Sequence, residues 1–203
     1  LLAFTPLGDR APVVILPGFG ASDRSTAVMR AFLETRGHRT QGWGLGRNTG
    51  NVAALVQATE DRVGQTVDRE GRKVRIVGQS LGGVVARELA RRRPDLVERV
   101  VTMGTPVVGG PKYTAMAALY QSMYNVDLDA MEAYVAAVNR ERRIPVPVTA
   151  IYSKNDNVVA WQACIDPVND HVEHVEVRTT HIGMGFDAQV FRIVADRLAR
   201  PAA

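Results

Sequence analysis

Three residues of this chain have the types and the order needed to attack a carbonyl carbon. Ser80 is the centre of Gly78-Gln79-Ser80-Leu81-Gly82. A serine hydroxyl is too weakly acidic to attack unaided, so it needs a base whose pKa lies near working pH, and histidine supplies one. The chain has four histidines, His38, His171, His174 and His181. Only His181, in Thr179-Thr180-His181-Ile182-Gly183, follows a predicted strand. It therefore falls on the sheet edge from which Ser80 emerges, whereas His38, His171 and His174 precede strands. A carboxylate must accept a hydrogen bond from the imidazole and stabilise its charged form. Asp156 lies in Tyr152-Ser153-Lys154-Asn155-Asp156-Asn157-Val158-Val159, just past a predicted strand at 148–152 and on the same edge. Asp166 and Asp170 are its rivals, further from the strand end.

The nucleophile needs a particular turn. Residues 73–77 read as a strand, and Val84, Val85 and Leu89 mark a helix that stops before Pro94. The pentapeptide sits on their junction. Glycine two residues before and two after the serine lets strand and helix approach closely, and the central residue takes a strained conformation with its side chain exposed. A tetrahedral intermediate also needs two donors aimed at its oxygen. The N–H of Leu81 is one candidate. The N–H of Phe19, in the loop Pro17-Gly18-Phe19-Gly20 after the first predicted strand, is the other, with a plain connecting turn as the alternative for that loop.

These loops must be held by the elements around them. Val13-Val14-Ile15-Leu16 is a continuous apolar run and reads as a central strand buried on both faces. Ser22 or Asp23 is expected to cap a helix whose apolar face is Val28, Met29, Phe32 and Leu33, ended by Gly37. A strand is expected at 38–43. Val52, Leu55, Val56, Val63 and Val67 follow at helical spacing, closed by Gly71. Further strands are expected at 97–103 and 175–179. A last helix has Phe186, Val190, Ile193, Val194 and Leu198 on its face. Strands alternating with helices predict an α/β fold of three layers, a mostly parallel sheet with helices on both faces. No linker divides the chain, so residues 1–203 form one domain.

Residues 113–139 break the alternation with two helices instead of one, separated near 125–129. Met116, Leu119, Tyr120 and Met123 lie on the first, and Met131, Tyr134, Val135 and Val138 on the second. An insertion at about 107–145 leaves and returns at the edge carrying Ser80, so it is expected to form a small helical cap. Ordinary packing against the sheet is the alternative. Met116, Leu119 and Met123 are candidate substrate contacts through this cap, and Gln79, Met103, Val158 and Ile182 are further candidates.

The rest of the sequence narrows the function by exclusion. A net charge of +4 and a pI near 9.6 are mildly basic, but no basic stripe accompanies a nucleic-acid motif. Arg91, Arg92 and Arg93 read as a solvated helix end. His171 and His174 lack accompanying ligands and read as surface residues, so no metal is expected. Gly42-Trp43-Gly44-Leu45-Gly46 lacks the spacing of a dinucleotide fingerprint, and no phosphate loop is present, so no cofactor is expected. No apolar run approaches the roughly 20 residues that span a bilayer. Cys164 is the single cysteine, which removes one mark of secretion. The chain begins without methionine, so the compartment stays open, with the cytoplasm slightly favoured. The oligomeric state is not readable.

Together these segments resemble the α/β-hydrolase family, and within it bacterial esterases and lipases, over residues 13–198. Pro17-Gly18-Phe19-Gly20 resembles the family's oxyanion loop, with Pro17 where histidine often stands. Met103-Gly104-Thr105-Pro106 resembles the segment after the strand that follows the nucleophile in many lipases. Residues 153–159 and 180–183 resemble the acid and histidine loops. The resemblance implies a serine hydrolase that cleaves carboxylic esters through an acyl-serine, without metal, on a small-molecule or lipid acyl ester. A single residue in the oxyanion loop, rather than a run of glycines, is similar to lipases that accept medium or long acyl chains. An acyltransferase on the same residues, or a binding protein that kept the fold, are the alternatives.

Overall fold

The computed structural model describes residues 5–201. Its strands are β1 (Pro12–Leu16), β2 (Arg39–Gly42), β3 (Val74–Gln79), β4 (Val97–Met103), β5 (Val148–Ser153) and β6 (Val172–Val177). They form one six-stranded sheet in the order β2-β1-β3-β4-β5-β6, and every neighbouring pair is parallel. The helices are α1 (Ala27–Thr35), α2 (Val52–Glu70), α3 (Leu81–Arg92), α4 (Ala117–Tyr124), α5 (Leu128–Glu141) and α6 (Ala188–Ala199).

The unbroken apolar run of β1 has a simple cause. Its successive side chains point to opposite faces, and both faces are covered. Val14 and Leu16 belong to a core with Val56 and Val63 of α2 and Val85 and Leu89 of α3. Val13 and Ile15 belong to a second core with Met29 and Leu33 of α1 and Val190, Val194 and Leu198 of α6. Three layers result, the architecture that the strand–helix alternation predicts.

Several local expectations are corrected. Thr26 stands at the α1 N-cap without a side-chain cap bond. Asp23 is not a cap, because its carboxylate accepts the N–H groups of Trp43 and Gly44, each at 3.0 Å. Val28 is exposed, so the buried face of α1 is Met29 and Leu33. Phe186 precedes α6 and is exposed, while Asp187 caps that helix through the N–H groups of Gln189 and Val190. β6 starts at Val172, earlier than its apolar residues suggest, so His174 lies within the strand and not before it. The His174 Nε2 accepts the Asp166 N–H at 2.9 Å. Arg91 is no solvated helix end: it is buried, donating through Nε to the Arg142 carbonyl and through Nη2 to Asn139 Oδ1 at 2.6 Å.

The chain leaves β4, forms α4 and α5, and returns at β5. Neither helix buries a residue completely. They are tied down by polar contacts instead. Tyr120 Oη donates to the Gly50 carbonyl at 3.0 Å, and Tyr124 Oη to that of Thr49. Asn139 Nδ2 donates to the Val107 carbonyl at 3.0 Å.

Candidate active site

Ser80 lies between the last residue of β3 and the first of α3. Its φ of 52° and ψ of −121° put a non-glycine residue in the left-handed half of the map, a cost of about 1–3 kcal/mol that the surrounding packing must sustain. The flanking glycines are required by contact. A Cβ on Gly78 would lie 2.5 Å from the Gly83 Cα, and one on Gly82 2.6 Å from the Pro17 carbonyl oxygen. The turn leaves Ser80 partly exposed at the N-terminus of α3, where unpaired N–H groups favour negative charge.

The histidine and acid loops meet on the same edge of the sheet, where Gln79, the residue before Ser80, donates to the His181 carbonyl. His181 Nδ1 donates to Asp156 Oδ2 at 2.7 Å, and both side chains are buried. The other Asp156 oxygen, Oδ1, accepts the N–H groups of Val158 and Val159, each at 2.8 Å, so the carboxylate is fixed before it meets the imidazole. A proton held on Nδ1 leaves Nε2 as the basic nitrogen. Gly104, with φ 54°, makes room for this pair: a Cβ there would lie 2.9 Å from both Asp156 Oδ2 and His181 Nδ1. The rival acids are engaged elsewhere. Asp166 pairs with Arg87, and Asp170 with Arg143 on the surface.

The loop after β1 runs close to Ser80. A Cβ on Gly18 would stand 3.4 Å from the Ser80 Cβ. Among the described residues the Phe19 N–H has no acceptor. Leu81 is the first residue of α3, so its N–H has none within the helix. Asn48, which sequence reasoning did not single out, braces this loop from beneath. Its Nδ2 donates to the Pro17 carbonyl at 2.9 Å, its main chain exchanges hydrogen bonds with Gly20 and Ala21 at 2.8 Å, and its side chain is buried.

No family model and no curated protein sequence matches the chain. Solved structures do match, across nearly its whole length. The Bacillus licheniformis lipase BlEst2 in mature form is 13% identical with a TM-score of 0.72, covering 97% of this chain and 95% of the other. A metagenome-derived lipolytic enzyme, from the description of LipS and LipT, is 12% identical with a TM-score of 0.70, covering 96% and 94%. The mouse alpha/beta hydrolase domain-containing protein 10 is 19% identical with a TM-score of 0.63, covering 94% and 89%. The fold is that of the α/β-hydrolases.

Within this α/β-hydrolase fold, a cavity of about 590 Å³ opens on Ser80. Phe19 and Leu81 line it, together with Met116, Tyr120 and Tyr124 from the α4 segment, Met131 and Val135 of α5, and Val158. Of the candidate substrate contacts, Met116 and Val158 are therefore at the cavity, and the others are not. Leu119, Met123 and Ile182 are exposed away from its lining. Met103 is buried in the core beneath α6. Gln79 turns aside, and its Nε2 donates to the His181 carbonyl at 3.1 Å. Helical spacing alone put Met116 and Leu119 on one stripe, but α4 is apolar nearly all round, so periodicity could not choose its inner face.

Among the described residues no three His, Cys, Asp or Glu side chains gather as metal ligands. No described helix is long and apolar enough to cross a membrane. Cys164 is buried, and desolvation, with the Asp156 charge adding to it, pushes its thiol up to about 12, which leaves it without nucleophilic character.

Proposed function

We propose that this protein is a serine hydrolase that cleaves carboxylic esters through an acyl-serine. The observation that carries the reading is the buried His181–Asp156 hydrogen bond on the sheet edge that also carries a strained, cavity-facing Ser80. The Ser80 hydroxyl adds to the ester carbonyl as its proton passes to His181 Nε2. The resulting oxyanion takes hydrogen bonds from the Phe19 and Leu81 N–H groups. The C–O bond to the alcohol then breaks, and His181 returns the proton to the leaving oxygen. Water repeats the sequence against the acyl-serine, releasing the carboxylic acid. Asp156 holds the imidazole in one tautomer and stabilises its cationic form. The lipases and lipolytic enzymes among the structural neighbours support this reading through the shared fold. We assign residues 107–145 as a helical cap whose inner face receives the acyl chain.

A fluorophosphonate probe tests the proposal. Mass spectrometry should find it on the peptide containing Ser80. Ser80→Ala should lose labelling and at least ~10³-fold of the turnover of p-nitrophenyl esters, with the fold retained. A protein that stays unlabelled, or a folded Ser80→Ala that keeps its activity, overturns the reading.

A further inference from the structure

The cavity does not end where its apolar walls do. Ser80, Val84, Arg87 and Arg91 recur at helical spacing along α3, and all line it. From Ser80 to Arg87 the helix axis rises roughly 10 Å. Val52 and Val56 of α2 and Met131, Val135 and Val138 of α5 line the cavity as well. The lining also carries charge, with Arg87, Glu88, Arg91, Arg142 and Arg92, the last paired with Glu60.

Arg87 is the unusual member. It is 3% exposed, yet among the described residues its guanidinium makes one hydrogen bond, from Nη2 to Asp166 Oδ2. A guanidinium carries five N–H donors, and a buried donor without an acceptor is costly. Nη1 is enclosed with no partner, while Nε, which makes no hydrogen bond among the described residues and is not enclosed, is the donor left for a cavity ligand. Asp166 has little left to offer. Its Oδ1 accepts the N–H groups of Val168 and Asn169, and its Oδ2 is shared with Asn169 Nδ2 at 2.8 Å. The neighbours do not repair the deficit. Arg91 is spent on Glu88, Asn139 and the Arg142 carbonyl. Arg142 itself is exposed, with no acidic partner among the described residues. Positive charge is thus in excess along the Arg87–Arg91 stretch of the lining, and the fork geometry of guanidinium matches a carboxylate.

We propose that the arginine end of this cavity is an anion subsite centred on Arg87, and that the acyl arm bound there ends in a carboxylate, making the substrate a monoester of a medium-length dicarboxylic acid. This rests on the ester-hydrolase reading. A purely apolar channel makes the opposite demand, since a carboxylate carried into it without partners is strongly disfavoured.

The test compares mono-p-nitrophenyl octanedioate with p-nitrophenyl octanoate, which differ in a terminal carboxylate. The wild type should favour the octanedioate ester by ~10-fold or more in kcat/KM, as expected for a matched charge-assisted pair. Arg87→Met should bring the ratio below one. That variant leaves Asp166 buried without its cation, so Arg87→Met/Asp166→Asn is the second form, with folding checked by circular dichroism. A wild-type ratio at or below one overturns the subsite, as does a high ratio that persists in either folded variant. Calorimetric titration of the wild type with octanedioate and with octanoate separates the two levels of inference. If the protein hydrolyses neither ester and takes no fluorophosphonate, the hydrolase reading fails. Tighter binding of octanedioate would still uphold the subsite, and equal or weaker binding would overturn it.

Discussion

Gln79 Nε2 donates to the main-chain carbonyl of His181 at 3.1 Å, so the residue before Ser80 also holds the loop that carries the imidazole. The partners are 102 positions apart in the chain, and the bond ties the end of β3 to the segment after β6. We therefore propose Gln79 as a positioning residue in place of a substrate contact. Gln79→Ala should lower kcat by roughly 10- to 100-fold, the scale of an ångström-sized misplacement of a reacting group, and leave KM within a few-fold. Steady-state kinetics on a p-nitrophenyl ester decide it. A rise in KM at constant kcat would return Gln79 to the substrate contacts.

The acid role separates as sharply. Asp156→Asn keeps the shape of the loop but removes the charge facing His181, and should lower turnover by up to ~10⁴-fold. Asp170→Asn breaks only an exposed pair with Arg143, so kcat and thermal stability should both stay near wild type. Equal losses in the two variants would dissolve the assignment of Asp156.

How much of this was legible in the sequence depends on the range of the contacts involved. The buried strand at Val13-Val14-Ile15-Leu16, the glycine-flanked Ser80 and the strand-end positions of Asp156 and His181 follow from local pattern and chain order. The braces do not. Asn48 beneath the Pro17–Gly20 turn, Gln79 against His181, and Arg87 against Asp166 all join residues far apart, and none of them carries a local signature. Arg91 misled for the same reason. A run of three arginines reads as solvated until α5 is seen to cover the first of them. The expectation of 175–179 lies late against β6 at both ends, because Val172-Glu173-His174 mixes polar with apolar residues, as a partly exposed edge strand permits.

Asp166 ties acid stability to the buried arginine. Burial acts to raise its pKa, but the Arg87 charge and the N–H groups of Val168 and Asn169 outweigh it and hold the carboxyl below its ordinary 3.8. A carboxyl depressed in the folded state stabilises the protein above its unfolded pKa, and that contribution is lost as pH falls through the folded value. Asp166→Asn should therefore lower Tm clearly at pH 7. The gap to wild type should close as the pH drops below 3.8. Thermal melts across that range provide the check, and a gap independent of pH would remove the ionic contribution.

Within residues 107–145, α4 presents two distinct stripes. Met116, Tyr120 and Tyr124 recur every fourth residue and line the cavity, while Leu119 and Met123, also four apart, are 46% and 53% exposed on another stripe of the same segment. Lengthening a neutral acyl chain from acetate to hexanoate extends it along the inner stripe, short of Arg87. Each buried methylene contributes about 0.8 kcal/mol, which is about fourfold in kcat/KM per carbon at most. Met116→Ala and Val135→Ala each remove cavity wall and should flatten that rise while acetate hydrolysis continues. Leu119→Ala and Met123→Ala should leave the rise as it is, because their side chains meet solvent and not the cavity. Measured on p-nitrophenyl esters of increasing length, the four variants should fall into those two pairs. If Leu119→Ala and Met123→Ala flatten the series as much as the inner pair does, the chain is bound along the outer face of α4. An efficiency that falls steadily from acetate in the wild type would make residues 107–145 cover for the sheet and remove them from acyl binding.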